Sequence, residues 1–170
     1  MALIRRDPSD LLRIPGLWDV PYAGARYPGS LAVTERPGLA DGANCQLFAY
    51  AVLDRFGLAA PPLRSSDLWE DERHSVRVRH PHRLDLLFFN RTADPYGAHL
   101  GVWAGEDAVL HLCAEVGRPA VWPMAEFAAR ERYRTLVGII RITRTTRTTC
   151  TTCTTCTEEG PDGPRAPGRA

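Results

Sequence analysis

The sequence predicts an α+β fold, in which N-terminal helices pack on an antiparallel β-sheet of about five strands. The first observation is a run of apolar residues at helical spacing between residues 45 and 56. The second is a series of five strand-like segments after residue 74, joined by turns typical of antiparallel neighbours. A chain of 170 residues is long enough for one such domain with a genuine core and some additional sequence.

Residues 1–40 are rich in proline and glycine, as in RIPGLWDVPYAGARYPGS. A short helix at residues 9–13 is the only regular structure expected there. We therefore predict an extended arm that wraps the core, with Trp18, Tyr22 and Tyr27 as its anchors.

A helix is predicted to begin at Cys45, where the loop after the arm ends. Gly42 is expected to break the preceding structure, Asn44 to cap the helix and Gly57 to end it. The pattern thus places a single cysteine at a helix N-terminus.

The remaining segments complete a predicted domain that runs from residue 15 to residue 142. A helix capped by Ser65 or Ser66 and a helix in PMAEFAARERY accompany the strands. Gly-Glu-Asp at 105–107 turns the third strand into the fourth, so these two form a hairpin. The predicted strands are HSVRVR, LDLLFFN, HLGVWAG, AVLHLCAEVG and TLVGIIRI.

Residues 143–170 are predicted to be a disordered, low-complexity tail, because a Thr-Thr-X period leaves almost no apolar side chain to fold around. Cys150, Cys153 and Cys156 have a spacing typical of zinc or cluster sites, but a fourth ligand is missing. The same three-residue repeat has arginine in place of cysteine at its earlier positions, in RTTRTT. Expansion of this repeat explains both halves of the tract, so it is favoured over a metal site.

Composition disfavours several classes of partner. A formal net charge of +1 favours neither nucleic acid nor an anionic membrane. No apolar run approaches the roughly 20 residues of a transmembrane helix, and no secretory h-region is visible, so we expect a cytoplasmic location. Five cysteines, three of them in one tract, indicate no disulfide framework. We expect a monomer without a cofactor.

Cys45 is a candidate nucleophile if a histidine lies near it. A helix N-terminus is expected to lower the pKa of the thiol, and an imidazole can accept its proton. Three of the five histidines lie in the polar stretch ERHSVRVRHPH and are expected to be solvated. His99 and His111 lie instead in apolar strands.

The predicted hairpin brings these two histidines together. Side chains alternate between faces along a strand, and cross-strand neighbours share a face. If the turn is symmetric about residue 106, Gly101 pairs with His111, and His111 is a diagonal neighbour of His99, on one face with Cys113. The pair indicates a chemical role, and half-buried histidines satisfied by the backbone are the alternative.

The order of these residues resembles that of the NlpC-type cysteine peptidases, compact papain-like enzymes best known for cutting peptide stems of the bacterial cell wall. HLGVWAGEDAVLH is similar to the catalytic hairpin of that family, and RLDLLFF to the strand before it. PPLRSSDLW is similar to the segment after the nucleophile helix, and EFAARERYRTLVGIIRI to the closing helix and strand. The resemblance runs from about Pro15 to Ile142.

The resemblance implies a Cys-His-His site, with Cys45 as the nucleophile, His99 as the general base and His111 as the residue that orients the base. It also implies hydrolysis of an amide in a small peptide or a cell-wall peptide, through a thioester. The Cys45 backbone N–H is a candidate oxyanion donor. The residues expected to bind substrate or support the oxyanion are Tyr22, Asn44 and Gln46.

The chain departs from the family pattern at two motif positions and in the stretch between Tyr22 and Cys45, which is longer than usual. The family usually has Asp-Cys-Ser-Gly at the nucleophile, where this chain has Asn-Cys-Gln-Leu. Gln46 and Leu47 are therefore expected to alter the wall of the substrate cleft. The glycine that precedes Asp85 in the family is replaced by Leu84.

Three alternatives stay open on the sequence alone. The same fold can serve as a non-catalytic binding module, and a Cys/His site can act as an esterase or an acyltransferase. An acyltransferase of the lecithin–retinol type usually has its histidine before its cysteine, unlike this chain. Cys45, His99 and His111 could also hold zinc.

Overall fold

A single antiparallel sheet forms from the alternating and apolar segments that follow residue 74. The computed structural model describes residues 8–143, and the strand order in its sheet is β1-β6-β2-β3-β4-β5. Every neighbouring pair of strands is antiparallel, so the predicted α+β class is confirmed. The strands are Ser75–Val78 (β1), Leu86–Asn90 (β2), His99–Gly105 (β3), Ala108–Leu112 (β4), Pro119–Trp122 (β5) and Thr135–Ile142 (β6).

The sheet has one strand more than the five that the sequence patterns predict. The additional strand, β5, has only the four residues PAVW and begins with a proline, so it carries no clear strand pattern. Pro119 is tolerated because β5 lies at the edge of the sheet and the proline is its first residue.

Short helices precede and cover the sheet. The predicted serine cap of α3 is wrong, because the helix begins at Ser65 and its N-cap is Arg64, without a side-chain hydrogen bond. The predicted helix at Cys45 is present as α2. The bounds are Pro8–Arg13 for a 3-10 helix, Leu31–Glu35 (α1), Cys45–Asp54 (α2), Ser65–Glu70 (α3) and Met124–Ala128 (α4).

Both faces of the sheet bury apolar side chains. On the first face, Leu86, Phe88 and Leu100 belong to a core cluster that includes the buried side of α2. On the second face, Phe89 packs with Phe127 of α4. Phe89 pairs with His99, and Gly101 pairs with His111, so the alternation of the strands puts both histidines on this second face.

Aliphatic side chains, and not the three predicted aromatic ones, anchor the arm in the core. Trp18 is 39% exposed, and Tyr22 and Tyr27 are half-buried. The apolar positions of this segment recur every three residues and face the core together, which turns Trp18 outward. The buried anchors are Leu11, Ile14, Leu17 and Val20.

The predicted tail, residues 143–170, lies outside the described residues except for Thr143, and so do residues 1–7 of the arm. The predicted disorder and the role of the cysteine tract therefore stay predictions. Within residues 8–143, no helix is long and apolar enough to cross a membrane.

Candidate active site

Cys45 is the first residue of α2, as the sequence predicts. The Asn44 side chain caps the helix, because its Oδ1 accepts a hydrogen bond of 2.8 Å from the Leu47 backbone N–H. The thiol therefore lies at the end of α2 where backbone N–H groups are free to interact with an anion.

The arm fixes the loop immediately before the cysteine. Ala43 accepts a backbone hydrogen bond from Ala23 and donates one to Pro21. Gly42 has φ +91°, and a Cβ there would lie 2.7 Å from the Pro21 carbonyl oxygen, so only glycine fits this close approach. The same pairing brings Tyr22 beside Ala43 and thus close to Cys45.

A buried arginine reinforces this loop. Arg26 is 5% exposed, and its guanidinium donates to the backbone carbonyls of Gly42, Ala32, Arg36 and Gly38 at 2.7–3.0 Å. The sequence analysis missed this residue, because one arginine in a Pro/Gly-rich segment carries no pattern. Arg26 therefore holds together the carbonyl groups of the segment that runs from α1 to the residues before Cys45.

The predicted hairpin register is confirmed. Gly101 pairs with His111, and the irregularity between Trp103 and Gly105 occurs nearer the turn. His99 Nε2 lies 3.0 Å from His111 Nδ1, within hydrogen-bond distance, and the two rings are perpendicular. Because Nε2 of His99 is engaged with His111, Nδ1 is the ring nitrogen left for another partner.

Aromatic rings pack against His111. Trp122 and Phe127 have ring centroids 4.2 and 4.9 Å from that of His111. His111 Nε2 is buried, and within the described part of the chain it has no hydrogen-bond partner. Burial, together with the charge of Arg130, lowers the pKa of His111 to about 3. His111 is thus a neutral residue in an apolar pocket.

The electrostatics of Cys45 differ from the prediction. Burial raises the pKa of the thiol, whereas the helix N-terminus and a histidine were expected to lower it. The backbone N–H groups of Leu100 and Gln46, and the charge of Arg132, lower the pKa but do not offset the loss of solvation. Burial also takes the pKa of His99 well below its ordinary value, so the resting pair is a neutral thiol and a neutral imidazole.

One small cavity, of about 190 Å³, joins Cys45 to His99. His111 does not line it and lies behind His99. Among the residues that the sequence analysis did not assign to the site, Tyr133 is buried and its ring centroid lies 4.7 Å from that of His99. The predicted site residues that line the cavity are Tyr22, Asn44, Cys45, Gln46 and His99, and the additional ones include Arg64, Cys113, Arg132 and Tyr133.

The two residues that replace the family's Ser-Gly act differently from each other. Gln46 lines the cavity, but its Nε2 donates to Tyr50 Oη and to the Leu63 carbonyl, both at 2.7 Å, so its amide holds α2 to the next loop. Leu47 lines a separate apolar groove with Tyr50 and Leu58. The prediction that Leu47 shapes the substrate cleft is therefore wrong, because the helix turns this side chain away.

Leu84, which stands where the family pattern has glycine, has an unusual backbone conformation. Leu84 has φ +75°, a left-handed conformation that glycine adopts without strain. The next residue, Asp85, is 2% exposed and binds Arg141 through two hydrogen bonds of 2.8 Å. Asp85 and Leu84 also pair through the backbone with Trp103, which aligns the start of β2 with the hairpin strand β3.

Among residues 8–143, no group of three or more His, Cys, Asp or Glu side chains is arranged to hold a metal ion. The zinc alternative at Cys45, His99 and His111 therefore lacks a suitable ligand arrangement. The tract of Cys150, Cys153 and Cys156 is outside the described residues.

Comparison with known proteins identifies the fold. No protein-family model matches the sequence, and no curated protein matches it. An NlpC/P60 family protein from Bacillus cereus superposes with a TM-score of 0.59 at 18% identity, over 82% of this chain and 41% of that protein. The chain thus spans less than half of the length of this structural relative.

Two mycobacterial structures are also similar over part of the chain. The peptidoglycan hydrolase RipB from Mycobacterium tuberculosis gives a TM-score of 0.48 at 21% identity, over 81% of this chain and 72% of RipB. The P60 domain of an antigen from M. avium subspecies paratuberculosis gives 0.42 at 20% identity, over 68% of this chain and 84% of that domain. On the superposition with the Bacillus cereus protein, this chain has the papain-like α+β fold of the NlpC/P60 proteins.

Proposed function

We propose that this chain is a cysteine hydrolase that cleaves amide bonds in short peptides, with cell-wall peptides as the first substrates to test. The observation that carries the proposal is the hydrogen bond between His99 and His111, in an arrangement whose cavity also holds Cys45. The resemblance of the hairpin motif to the NlpC-type peptidases supports the same reaction class, and the fold shared with an NlpC/P60 family protein is consistent with it.

The proposed reaction begins with proton transfer from the Cys45 thiol to Nδ1 of His99. His99 keeps its other proton on Nε2, and this N–H donates a hydrogen bond to His111 Nδ1. The hydrogen bond holds the imidazole in the tautomer that leaves Nδ1 free to act as a base. The thiolate then attacks the substrate carbonyl carbon, and the Cys45 backbone N–H donates to the oxyanion. The amine leaves with the proton from His99, and water, deprotonated by His99, hydrolyses the thioester.

The timing of the first proton transfer follows from burial. The pKa of the thiol is raised and that of His99 is lowered, so the neutral pair is favoured at rest. The backbone N–H groups of Leu100 and Gln46 lower the pKa of the thiol and so favour the thiolate as it forms. No stable thiolate therefore precedes substrate binding, and the proton moves to His99 in the complex with substrate, before the thiolate attacks.

A small substrate suits the cavity. Its volume of about 190 Å³ is below the roughly 300–1,000 Å³ of pockets for drug-sized ligands. A monomer that acts on short peptide ends, without a nucleic-acid or membrane partner, is part of this proposal. The net charge of +1 is in keeping with it.

The test is mass spectrometry of muropeptides, and of a panel of short peptides and esters, incubated with wild type, Cys45→Ala and Cys113→Ala. Wild type and Cys113→Ala are expected to cleave an amide, and Cys45→Ala to lose activity by at least about 10³-fold. Cleavage of esters or acyl transfer without amide cleavage would replace the peptidase by an esterase or acyltransferase. If wild type and Cys45→Ala behave alike on every substrate, a non-catalytic binding module is the better description.

A further inference from the structure

We infer that Cys113 is a resolving cysteine for Cys45, so that oxidation by a hydroperoxide joins the two thiols in a reversible disulfide. Both cysteines line the same cavity of about 190 Å³, and both are free thiols. The effect of the disulfide on activity rests on the proposed function, whose reaction makes no use of Cys113.

The register of the hairpin places Cys113 beside the proposed base. The last pair of β3 and β4 at this end of the hairpin is Gly101 with His111. The same register continued by two residues puts Cys113 opposite His99, on the face of the sheet that both histidines share. Cys113 is accordingly buried in the cluster of that face, which includes Tyr133. The second thiol therefore lies on the same side of the sheet as the imidazole ring of His99.

Cys45 lies toward the opening where the pairing of β3 with β4 ends. The Trp103 backbone N–H donates to the Asp85 carbonyl, on the β2 side of β3. Backbone N–H groups alternate between the two edges of a strand, so the Leu100 N–H faces β4. Burial raises the pKa of the Cys45 thiol, and the Leu100 N–H, as a hydrogen-bond donor, lowers it. The sulfur is therefore on the β4 side of β3, in the direction of Cys113.

The N-terminal arm connects the two cysteine segments through one residue. The Tyr22 N–H donates to the Gly117 carbonyl, and the Gly117 N–H donates to the Cys113 carbonyl, both at 2.9 Å. On its other side Tyr22 pairs with Ala43, two residues before Cys45. Burial raises the pKa of the Tyr22 hydroxyl, and negative charge on either thiol raises it further. Both sulfurs thus lie near the same phenol.

The burial of Cys113 restricts its possible partners. Its side chain is 1% exposed, so a thiol of another molecule does not reach it, whereas Cys45 is half-buried at the cavity. A small oxidant that enters the cavity therefore meets Cys45 first, and Cys113 is the thiol that the fold holds ready for the second step.

The oxidation is balanced over two steps. The Cys45 thiolate attacks one oxygen of hydrogen peroxide, the O–O bond breaks, and the leaving hydroxide takes the thiol proton, which gives Cys45 sulfenic acid and water. The Cys113 thiolate then attacks the Cys45 sulfur, the S–O bond breaks, and the hydroxide leaves as water with the Cys113 proton. The two thiols lose two electrons, and the peroxide is reduced to two waters. The nucleophile is blocked until a dithiol reduces the disulfide.

The experiment treats the full chain with hydrogen peroxide, alkylates the remaining thiols and maps tryptic peptides without reduction. Cys45, Cys113 and the tract of Cys150, Cys153 and Cys156 fall in three different tryptic peptides, so each possible pairing is read separately. The variants are Cys113→Ala and Cys113→Ser, with circular dichroism to show that they are folded. The matched control replaces all three cysteines of the tract by serine.

Wild type and the matched control are expected to give the Cys45–Cys113 peptide. Amide cleavage should fall by the cross-linked fraction, and dithiothreitol should restore both. The cross-link should form faster at pH 9 than at pH 7, because both steps need a thiolate. Cys113→Ala and Cys113→Ser, made in the control background, should instead accumulate Cys45 sulfinic acid, which dithiothreitol does not reduce.

Two results would overturn the resolving role of Cys113. One is the absence of the Cys45–Cys113 peptide from oxidised wild type, with Cys45 joined to the tract or converted to sulfinic acid. The other is recovery of Cys45 in Cys113→Ala, in the control background, to the same extent as in wild type.

The cross-link is detected by mass and needs no turnover, which separates the two proposals. If wild type forms the reversible cross-link but cleaves no substrate, the cysteine pair stands and the hydrolase proposal fails. If wild type cleaves an amide and peroxide inactivates it without a cross-link, the hydrolase proposal stands and Cys113 is not a resolving cysteine.

Discussion

The two ends of the Cys45–His99–His111 arrangement lie in opposite environments. Cys45 is half-buried at a helix N-terminus, beside backbone N–H donors and the charge of Arg132. His111 is fully buried against Trp122, and its Nε2 has no hydrogen-bond partner within residues 8–143. The Cys45 end is thus polar and lines the cavity, whereas the His111 end is apolar and closed.

This difference bears on whether His111 stabilises a positive charge on His99 or only orients the His99 ring. A group that stabilises a developing imidazolium needs a charge or strong acceptors around it. His111 offers only a neutral nitrogen, and its surroundings are aromatic, with Arg130 stacked over Trp122 at 4.0 Å. In the proposed reaction, His111 would therefore act by fixing the ring of His99, and we expect the rate to depend far more on His99 than on His111.

The largest expected effect follows directly. His99→Ala removes the base and is expected to reduce kcat/KM by about 10²–10⁴-fold, whereas His111→Gln and His111→Asn keep an acceptor for His99 Nε2–H and should retain measurable activity. His111→Ala should fall between them. The measurement is kcat/KM on the amide substrate found for wild type, with circular dichroism to show that each variant is folded.

A larger loss of activity in His111→Ala than in His99→Ala would contradict these roles. If folded His111→Ala loses more activity than folded His99→Ala, the proton acceptor is His111, and the roles of the two histidines are exchanged.

Local pattern was sufficient to predict the elements that hold this site. The helix from Cys45 and its Asn44 cap follow from spacing and capping preference. The pairing of Gly101 with His111 follows from the symmetry of one turn, and it brings His99 to His111 without any tertiary information. These features depend on neighbours in sequence or across one hairpin.

The missed features depend on contacts that no local pattern records. Tyr133 and Arg132 lie in the turn between α4 and β6, where there is no helical or strand period, and packing brings them to His99 and Cys45. The direction of the thiol pKa was predicted wrongly for the same reason. A helix N-terminus is visible in the sequence, whereas the burial of Cys45 depends on the whole fold.

The buried histidines also predict a pH dependence of stability. The pKa of His99 and His111 is depressed in the folded protein, and in the unfolded chain it returns to about 6.5. Below pH 6.5 the unfolded chain binds more protons, so the free energy of unfolding falls as the pH decreases, by up to about 1.4 kcal/mol per pH unit for each histidine.

Urea unfolding of wild type, His111→Gln and His80→Gln between pH 7 and pH 5 measures this slope. His111→Gln should lose about half of the histidine contribution. His80→Gln, at an exposed histidine, should keep the wild-type slope. A slope in His111→Gln equal to that of wild type would mean that water or another acceptor reaches His111 Nε2–H in solution, so that the pKa of His111 is not depressed.

The smallest expected effect concerns the polar end of the arrangement, and it tests whether a thiolate exists before substrate arrives. Cys45 is half-buried and Cys113 is 1% exposed, so iodoacetamide should modify Cys45 several-fold faster, with peptide mapping to separate the two sites. Because burial raises the pKa of the Cys45 thiol, the rate should be low at pH 6 and still increase near pH 9. Arg132→Gln removes a charge that lowers the pKa of the Cys45 thiol, so its labelling rate at a given pH should be lower than that of wild type. Arg55→Gln, at an exposed arginine that ends α2, should be labelled at the wild-type rate. Fast, pH-independent labelling of Cys45 at pH 6 would instead demonstrate a stable thiolate–imidazolium pair. In that case the attraction between sulfur and His99 exceeds the cost of burying both charges, and the polar end of the site would be charged at rest.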